Sequence, residues 1–345
     1  MQKLLAAATL AALVAGVPEP AAAACPDPDK ALGVSRVIEI DTSGGPIFGS
    51  ATKREKEARF LAENEVVLTF DDGPVPWVTK PILDTLDQFC TKATFFSVGE
   101  MALSYPAMTK EVLARGHTLG THTWSHPNNL RRLGFEKAKD EIERGFAAVS
   151  LAAATGIAPF FRFPGLNDSD ELLTYLQSRS IASFTVDVIS NDSFIGSPQR
   201  IADRPLKLAA AEKGGILLFH DLKRPTAKAL PAILAGLKAK GFKVVHLVAK
   251  SPAVPLATID AELQPILAKA AARDVVPFHG PVPGPETPGP RAPRGGGPRR
   301  KRAGSAGPDA DPGRTARVGT AGSLPAPAPQ VAAGKRKRAP PSPPR

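Results

Sequence analysis

The chain has 345 residues, 43% of them apolar, which is too long and too apolar for a disulfide-stapled miniprotein or a wholly unfolded chain. Its formal charge of +11 is unevenly placed: residues 277–345 hold 13 Lys/Arg against 3 Asp/Glu and 17 of the 36 prolines, whereas residues 25–276 sum to +1. A basic nucleic-acid-binding domain is thereby excluded, because the globular part is close to neutral and the basic character belongs to a tail.

At the N-terminus, Lys3 precedes an apolar run from Leu4 to Val17 and a small-residue stretch ending Ala22-Ala23-Ala24. This order predicts a secretory signal over residues 1–24. The run is shorter than the ~20 residues a membrane span needs, and no later run qualifies, so the reading is an exported soluble protein, periplasmic or secreted, without a transmembrane anchor. Lipid attachment at Cys25 is a minor alternative. Cys25 and Cys90 are the only cysteines. In an oxidising compartment they permit one disulfide; the other reading is two unrelated thiols.

After an N-terminal segment, 25–64, short apolar runs alternate with amphipathic stretches across 65–250. Strands are predicted at Val66–Phe70, Ala93–Val98, Thr118–Thr123, Phe160–Pro164, Ile181–Val188, Gly215–His220 and Phe242–Val248. Helices are predicted at Lys80–Gln88, before Arg115, and at Phe135–Ala154, Asp170–Arg179, Pro198–Ala211 and Thr226–Lys240. Such alternation argues for parallel strands in β-α units, and a distorted (β/α)7-8 barrel fits at least as well as an open sheet. A last helix over Ile259–Ala272 closes the segment 251–276. From 277 onwards Gly, Pro, Ala and Arg dominate, and the segment is read as disordered.

Chemistry-bearing residues cluster at the predicted C-terminal strand ends, the rim on which α/β barrels build active sites. Thr69 to Pro74 reads T-F-D-D-G-P, His122 to His126 reads H-T-W-S-H, Phe161 to Gly165 reads F-R-F-P-G, and Leu217 to Asp221 reads L-L-F-H-D. Adjacent carboxylates, Asp71 and Asp72, point in different directions and can take different roles. His122 and His126, four apart, form with one carboxylate a facial set suited to zinc or a related divalent ion. Arg162 on an apolar wall needs an anion. His220 at a strand end is placed to titrate near neutral pH. His117, His246 and His279 are read as structural or exposed.

In this order and spacing, the four motifs resemble the metal-dependent polysaccharide deacetylases, the NodB-type domain of carbohydrate esterase family 4, over Val66 to Leu247. The resemblance implies that Asp71 is the general base, that Asp72, His122 and His126 hold the metal, that Arg162 orients Asp71, and that His220 is the general acid. It places Leu218 beside the acetyl methyl group, the Gly165 backbone N–H at the developing oxyanion, and Trp124 and Asp192 on the substrate side. It further implies zinc, or another divalent transition metal, and an N-acetylated polysaccharide or oligosaccharide substrate such as chitin oligomers, peptidoglycan or poly-N-acetylglucosamine. In the family's fourth motif, Ser190-Asn191-Asp192 matches, but Ile189 stands where an Asp orienting the catalytic histidine is expected and Ser193 replaces a Trp. Asp187, on the same strand face as Ile189, is therefore expected to reach His220.

Rival readings are an O-acetyl esterase acting on a polysaccharide such as xylan and a catalytically silent carbohydrate-binding protein. Lys335-Arg336-Lys337-Arg338 resembles a nuclear signal, which the export signal contradicts. Contact of the basic tail with anionic envelope polymer is a further expectation.

Overall fold

The computed structural model describes residues 25–52, 57–58 and 60–274. All of them belong to the first of the two units into which the chain divides, Met1–Gly280 and Pro281–Arg345. The signal expected over 1–24 and the tail from 277 lie outside the described residues.

In chain order the elements are β1 (Arg36–Ile40), β2 (Ile47–Phe48), β3 (Glu57–Ala58), β4 (Glu65–Asp71), α1 (Pro76–Gln88), β5 (Thr94–Ser97), α2 (Gly99–Ser104), α3 (Pro106–Ala114), β6 (Thr118–Thr121) and α4 (Phe135–Ala153). They continue with β7 (Phe160–Phe161), α5 (Asp170–Ser178), β8 (Ala182–Phe184), β9 (Val188–Ile189), α6 (Pro198–Glu212), β10 (Gly214–His220), α7 (Arg224–Ala239), β11 (Lys243–Ala249) and α8 (Ala257–Asp274). No helix among the described residues is long and apolar enough to cross a membrane.

Strand pairing among the described residues is parallel throughout, and neighbours run β10, β4, β5, β6, β7, β8. The run from Ala182 to Ile189 then carries the sheet back to its start: β8 pairs with β7, and β9 with β10. The expected barrel of parallel β-α units is borne out, distorted where that run crosses. There the expected strand Ile181–Val188 splits, because Phe48 O accepts Thr185 N–H, and Val186 O accepts the Ser50 and Ala51 N–H groups. The N-terminal segment thus supplies β1 to β3, which the sequence reading left unassigned. The single helix expected before Arg115 is two, broken at Tyr105, whose φ of −134° lies outside the helical range that a following proline disfavours.

Side-chain alternation sorts the barrel into two apolar layers. Val67, Phe96, Phe160, Phe184, Ile216 and Leu218 fill the interior, while Leu68, Phe70, Phe95, Leu217 and Phe219 face the helices. Burying each phenylalanine contributes about 1.5–3 kcal/mol. The inward set, continued along the same strands by two residues from Phe160 and Leu218 and by four from Val67, reaches Arg162, His220 and Asp71. The interior core therefore ends in charged residues at the C-terminal rim.

Cys25 and Cys90 are joined, with Cα atoms 5.6 Å apart and a sequence separation of 65, which fastens the N-terminal segment to the end of α1. Closing a loop of that length restricts the unfolded chain by an amount worth about 2–4 kcal/mol. Reduction, or Cys25→Ser with Cys90→Ser, is expected to lower the urea-unfolding free energy by that amount while leaving the rim intact; an unchanged midpoint would contradict this.

Candidate active site

Asp71 is the last residue of β4, and the parallel register sets it directly opposite His220 of β10. Both point inward by the alternation described above. Across the barrel, Arg162 follows β7 and is fully buried. Its Nη1 donates to Asp71 Oδ1 at 2.7 Å and to Thr69 Oγ1 at 2.8 Å, while Nε and Nη2 donate to the carbonyls of Phe184 (3.2 Å) and Thr185 (3.3 Å). The guanidinium lies 4.2 Å over the Phe96 ring. The cation is thus hydrogen-bonded along its edge and covered on one face, and among the described residues its one carboxylate contact is Asp71.

Asp72 leaves the strand in the left-handed region, φ 79°. A non-glycine residue there carries strain of order 1 kcal/mol that its surroundings must offset. The following turn is clamped: Asp221 Oδ1 accepts Gly73 N–H at 2.8 Å, and its Oδ2 accepts Thr79 Oγ1–H at 2.7 Å. A Cβ on Gly73 would lie 2.0 Å from Asp221 Oδ2, so this approach requires glycine. Burial pushes the Asp221 carboxyl up to about 7, against the hydrogen bonds from Thr79 and Gly73. The sequence reading gave Asp221 no role; a carboxyl next to His220 at a strand end was the available signal.

His122 and His126 follow β6. His122 Nδ1–H donates to Arg162 O at 2.7 Å, which leaves Nε2 facing the rim. Burial holds its pKa below the ordinary value despite Asp71 and Asp72, favouring the neutral ring that ligates metals. His126 sits at φ 56°, with its N–H on Thr123 Oγ1 at 3.0 Å. This turn rests on α4 at Gly145, where a Cβ would meet Thr123 C at 2.8 Å.

Asp72 Oδ1 lies 3.6 Å from His122 Nε2 and 3.3 Å from His126 Nε2. It is buried and has no hydrogen-bond partner. A buried carboxylate oxygen left bare between two imidazole nitrogens is a donor set that fits a divalent cation. Ligand bonds of about 2.1 Å in a tetrahedral arrangement place ligand atoms about 3.4 Å apart, close to the spacing found. Among the described residues, Asp72, His122 and His126 are thus the group able to hold an ion.

His220 departs from expectation in its partner. Its Nδ1–H donates to Asp192 Oδ1 at 2.7 Å, and Asp192 Oδ2 accepts the His220 backbone N–H (2.8 Å) and Thr226 Oγ1–H (2.6 Å). Asp187, expected to reach His220, instead accepts Ser50 Oγ–H and Ile216 N–H, both at 2.7 Å. The reason is the broken strand: with 185–187 outside regular pairing, alternation no longer carries Asp187 onto the face of Ile189. Asp192, expected at the substrate, is buried behind the ring. Burial alone would lower the His220 pKa, but the hydrogen bond and charge of Asp192, together with Asp71 and Asp72, push it up to about 9. Burial opposes ionisation of Asp192, yet the bonds from His220 and Thr226 hold its carboxyl below the usual range.

Among the remaining expected residues, Leu218 is buried inward, two positions before His220. Gly165 is exposed on a left-handed turn after β7, φ 61°. Trp124 is half-buried and packs against Gly99 of α2, with its carbonyl and N–H tied to Glu100 N–H and Glu141 O. His117 and His246 are buried elsewhere, on Ala93 N–H (3.2 Å) and Thr118 Oγ1 (3.0 Å), with pKa values lowered by burial to about 3 and about 4. His279 lies outside the described residues.

If Asp192 sustains the charge on His220, Asp192→Asn lowers the His220 pKa from about 9 to about 6.5 or below, as read by NMR titration of the ring. A pKa unmoved by the substitution would contradict the assignment.

The sequence pattern of the polysaccharide deacetylase family matches residues 60–182. A chitooligosaccharide deacetylase of Bradyrhizobium sp. (strain ANU 289) is 30% identical over 194 residues, covering 52% of this chain and 87% of that protein. The peptidoglycan-N-acetylglucosamine deacetylase PgdA of Listeria monocytogenes serotype 1/2a (strain 10403S) is 30% identical over 198 residues, 57% of this chain but 41% of its own length, so the chain spans about two fifths of that relative. Among solved structures, a peptidoglycan deacetylase of Bdellovibrio bacteriovorus superposes with a TM-score of 0.57 at 32% identity, covering 63% of this chain and 59% of that one. With the rim residues in the family's motif order and a relative covered over nearly its whole length, the chain belongs to the polysaccharide deacetylase family.

Proposed function

We propose that the chain is an exported, metal-dependent deacetylase that hydrolyses the N-acetyl groups of an amino-sugar polymer or oligomer to acetate and free amine. The observation that carries this reading is the convergence on one rim of a base, an acid and a ligand triad: Asp71 opposite His220, with Asp72, His122 and His126 beside them. Export is supported by the N-terminal signal pattern and by the Cys25–Cys90 disulfide, which persists in oxidising compartments.

Asp72, His122 and His126 would hold the ion, for which their two nitrogens and one oxygen suit zinc. When bound there, an ion would supply Lewis-acid polarisation of the acetyl carbonyl and of a water. Asp71 has one oxygen on Arg162, and the other, 3.8 Å from His122 Nε2, faces the site. That oxygen takes the proton of the attacking water. His220 turns Nδ1 to Asp192, so Nε2 carries the proton that the departing amine needs as the C–N bond breaks. Leu218 supplies an apolar wall for the methyl group, and the Gly165 N–H would serve the carbonyl oxygen as charge develops.

The purified protein with zinc should release acetate from N-acetylglucosamine oligomers; chelation or Asp71→Asn should lower the rate by about 10²–10⁴. Activity that survives chelation would sink the mechanism. Because the acid works in its protonated form, kcat/KM should fall as pH rises through about 9, and Asp192→Asn should move that limb to lower pH. Comparing chitin oligomers, peptidoglycan, poly-N-acetylglucosamine and acetylxylan separates N- from O-deacetylation.

A further inference from the structure

A groove of about 390 Å³ runs along α6, lined by Ile195, Arg200, Asp203, Arg204, Lys207 and Leu208. Arg200, Arg204 and Lys207 recur at spacings of four and three, which sets them on one helical face. All three are exposed, and none makes an ion pair with a described residue. The one acid in the groove, Asp203, accepts Gln199 Nε2–H at 2.8 Å. Arg204 Nε donates to Ile189 O at 3.1 Å, which fixes its guanidinium against β9.

Arg200 does not serve helix stability. The first turn of α6 holds no acidic residue, and Arg200 stands at the positive end of the helix dipole, where a cation is disfavoured. In a stretch whose charges sum to +1, three cations and one acid over two helical turns leave a local excess of two positive charges, to which an anion is complementary.

The position of the groove indicates what carries that anion. Asn191 O accepts the N–H groups of Phe194 (3.0 Å) and Ile195 (3.1 Å), forming a tight turn around Asp192, whose carboxylate holds His220. On this turn Phe194 is 90% exposed, and Ile189 at the end of β9 is 39% exposed. A glycan held at His220 and leaving over the turn meets an apolar surface suited to the C–H face of a sugar, and then the cations. Guanidinium forks match carboxylates in geometry as well as charge.

We propose that the α6 groove is a carboxylate-reading subsite, through which the protein selects glycans bearing acidic substituents over neutral ones of the same length. The identity of the polymer as substrate rests on the deacetylase reading; the charge selection does not.

The test titrates the full chain calorimetrically, so that the charge of the tail is common to every sample, with a neutral N-acetylglucosamine oligomer and a peptidoglycan glycan strand of equal length with free lactyl carboxylates. The unmodified chain should bind the acidic strand about tenfold more tightly at low salt. Replacing the cations together, Arg200→Gln, Arg204→Gln and Lys207→Gln, should remove that preference and leave binding of the neutral oligomer unchanged; Arg200→Glu with Lys207→Glu should reverse it. Equal binding of both oligomers by the unmodified chain, or a preference that survives the triple substitution, overturns the subsite. Acetate release is followed on the same samples. A chain that keeps the charge-dependent preference yet releases no acetate overturns the deacetylase reading and leaves the subsite standing.

Discussion

The buried pair between Arg162 and Asp71 is the interaction on which the rest of the rim depends. A guanidinium with no exposed surface is costly unless its donors are used, and here four of its five N–H groups are spent on a carboxylate, a hydroxyl and two carbonyls. Those partners come from β4, β8 and the residue after β8, so the cation ties opposite walls of the barrel together. Its own carbonyl fixes the tautomer of His122. One residue therefore sets the orientation of Asp71 through its side chain and the orientation of a metal-ligand candidate through its backbone.

Around that pair, the strand ends are held in conformations a free chain avoids. Asp72, Thr123 and His126 all lie at positive φ. Such geometry persists only where neighbours over-determine it. Asp221 grips the turn after Asp72, Thr123 Oγ1 grips His126, and Gly145 lets that loop settle on α4. His220 is held in the same manner, with two bonds to one carboxylate and that carboxylate anchored by Thr226. The site is built from rigid strand ends and short clamps.

How much of this was legible in the sequence follows from which features are local. The central strands and long helices announce themselves through short apolar runs and amphipathic periods, and α4 ends within one residue of expectation. The chemistry residues at the ends of β4, β6, β7 and β10 were legible for the same reason, since an ionisable residue closing an apolar run is locally conspicuous. The partner of His220 was not. Choosing Asp187 over Asp192 required regular alternation through 185–189, and the N-terminal segment, bonding to Thr185 and Val186, breaks it. That segment is itself illegible, because β1 to β3 are short or edge strands whose pairing lies far away in the chain.

Arg162 and Asp71 act as one unit, and a double-mutant cycle measures their coupling. Arg162→Met and Asp71→Asn, singly and together, are compared by urea unfolding of the metal-free protein. Each single change should cost about 3–5 kcal/mol by leaving a buried charge or polar donors unpaired, and the double should cost clearly less than their sum. Strictly additive losses would show that the two residues do not depend on each other, and would contradict the account.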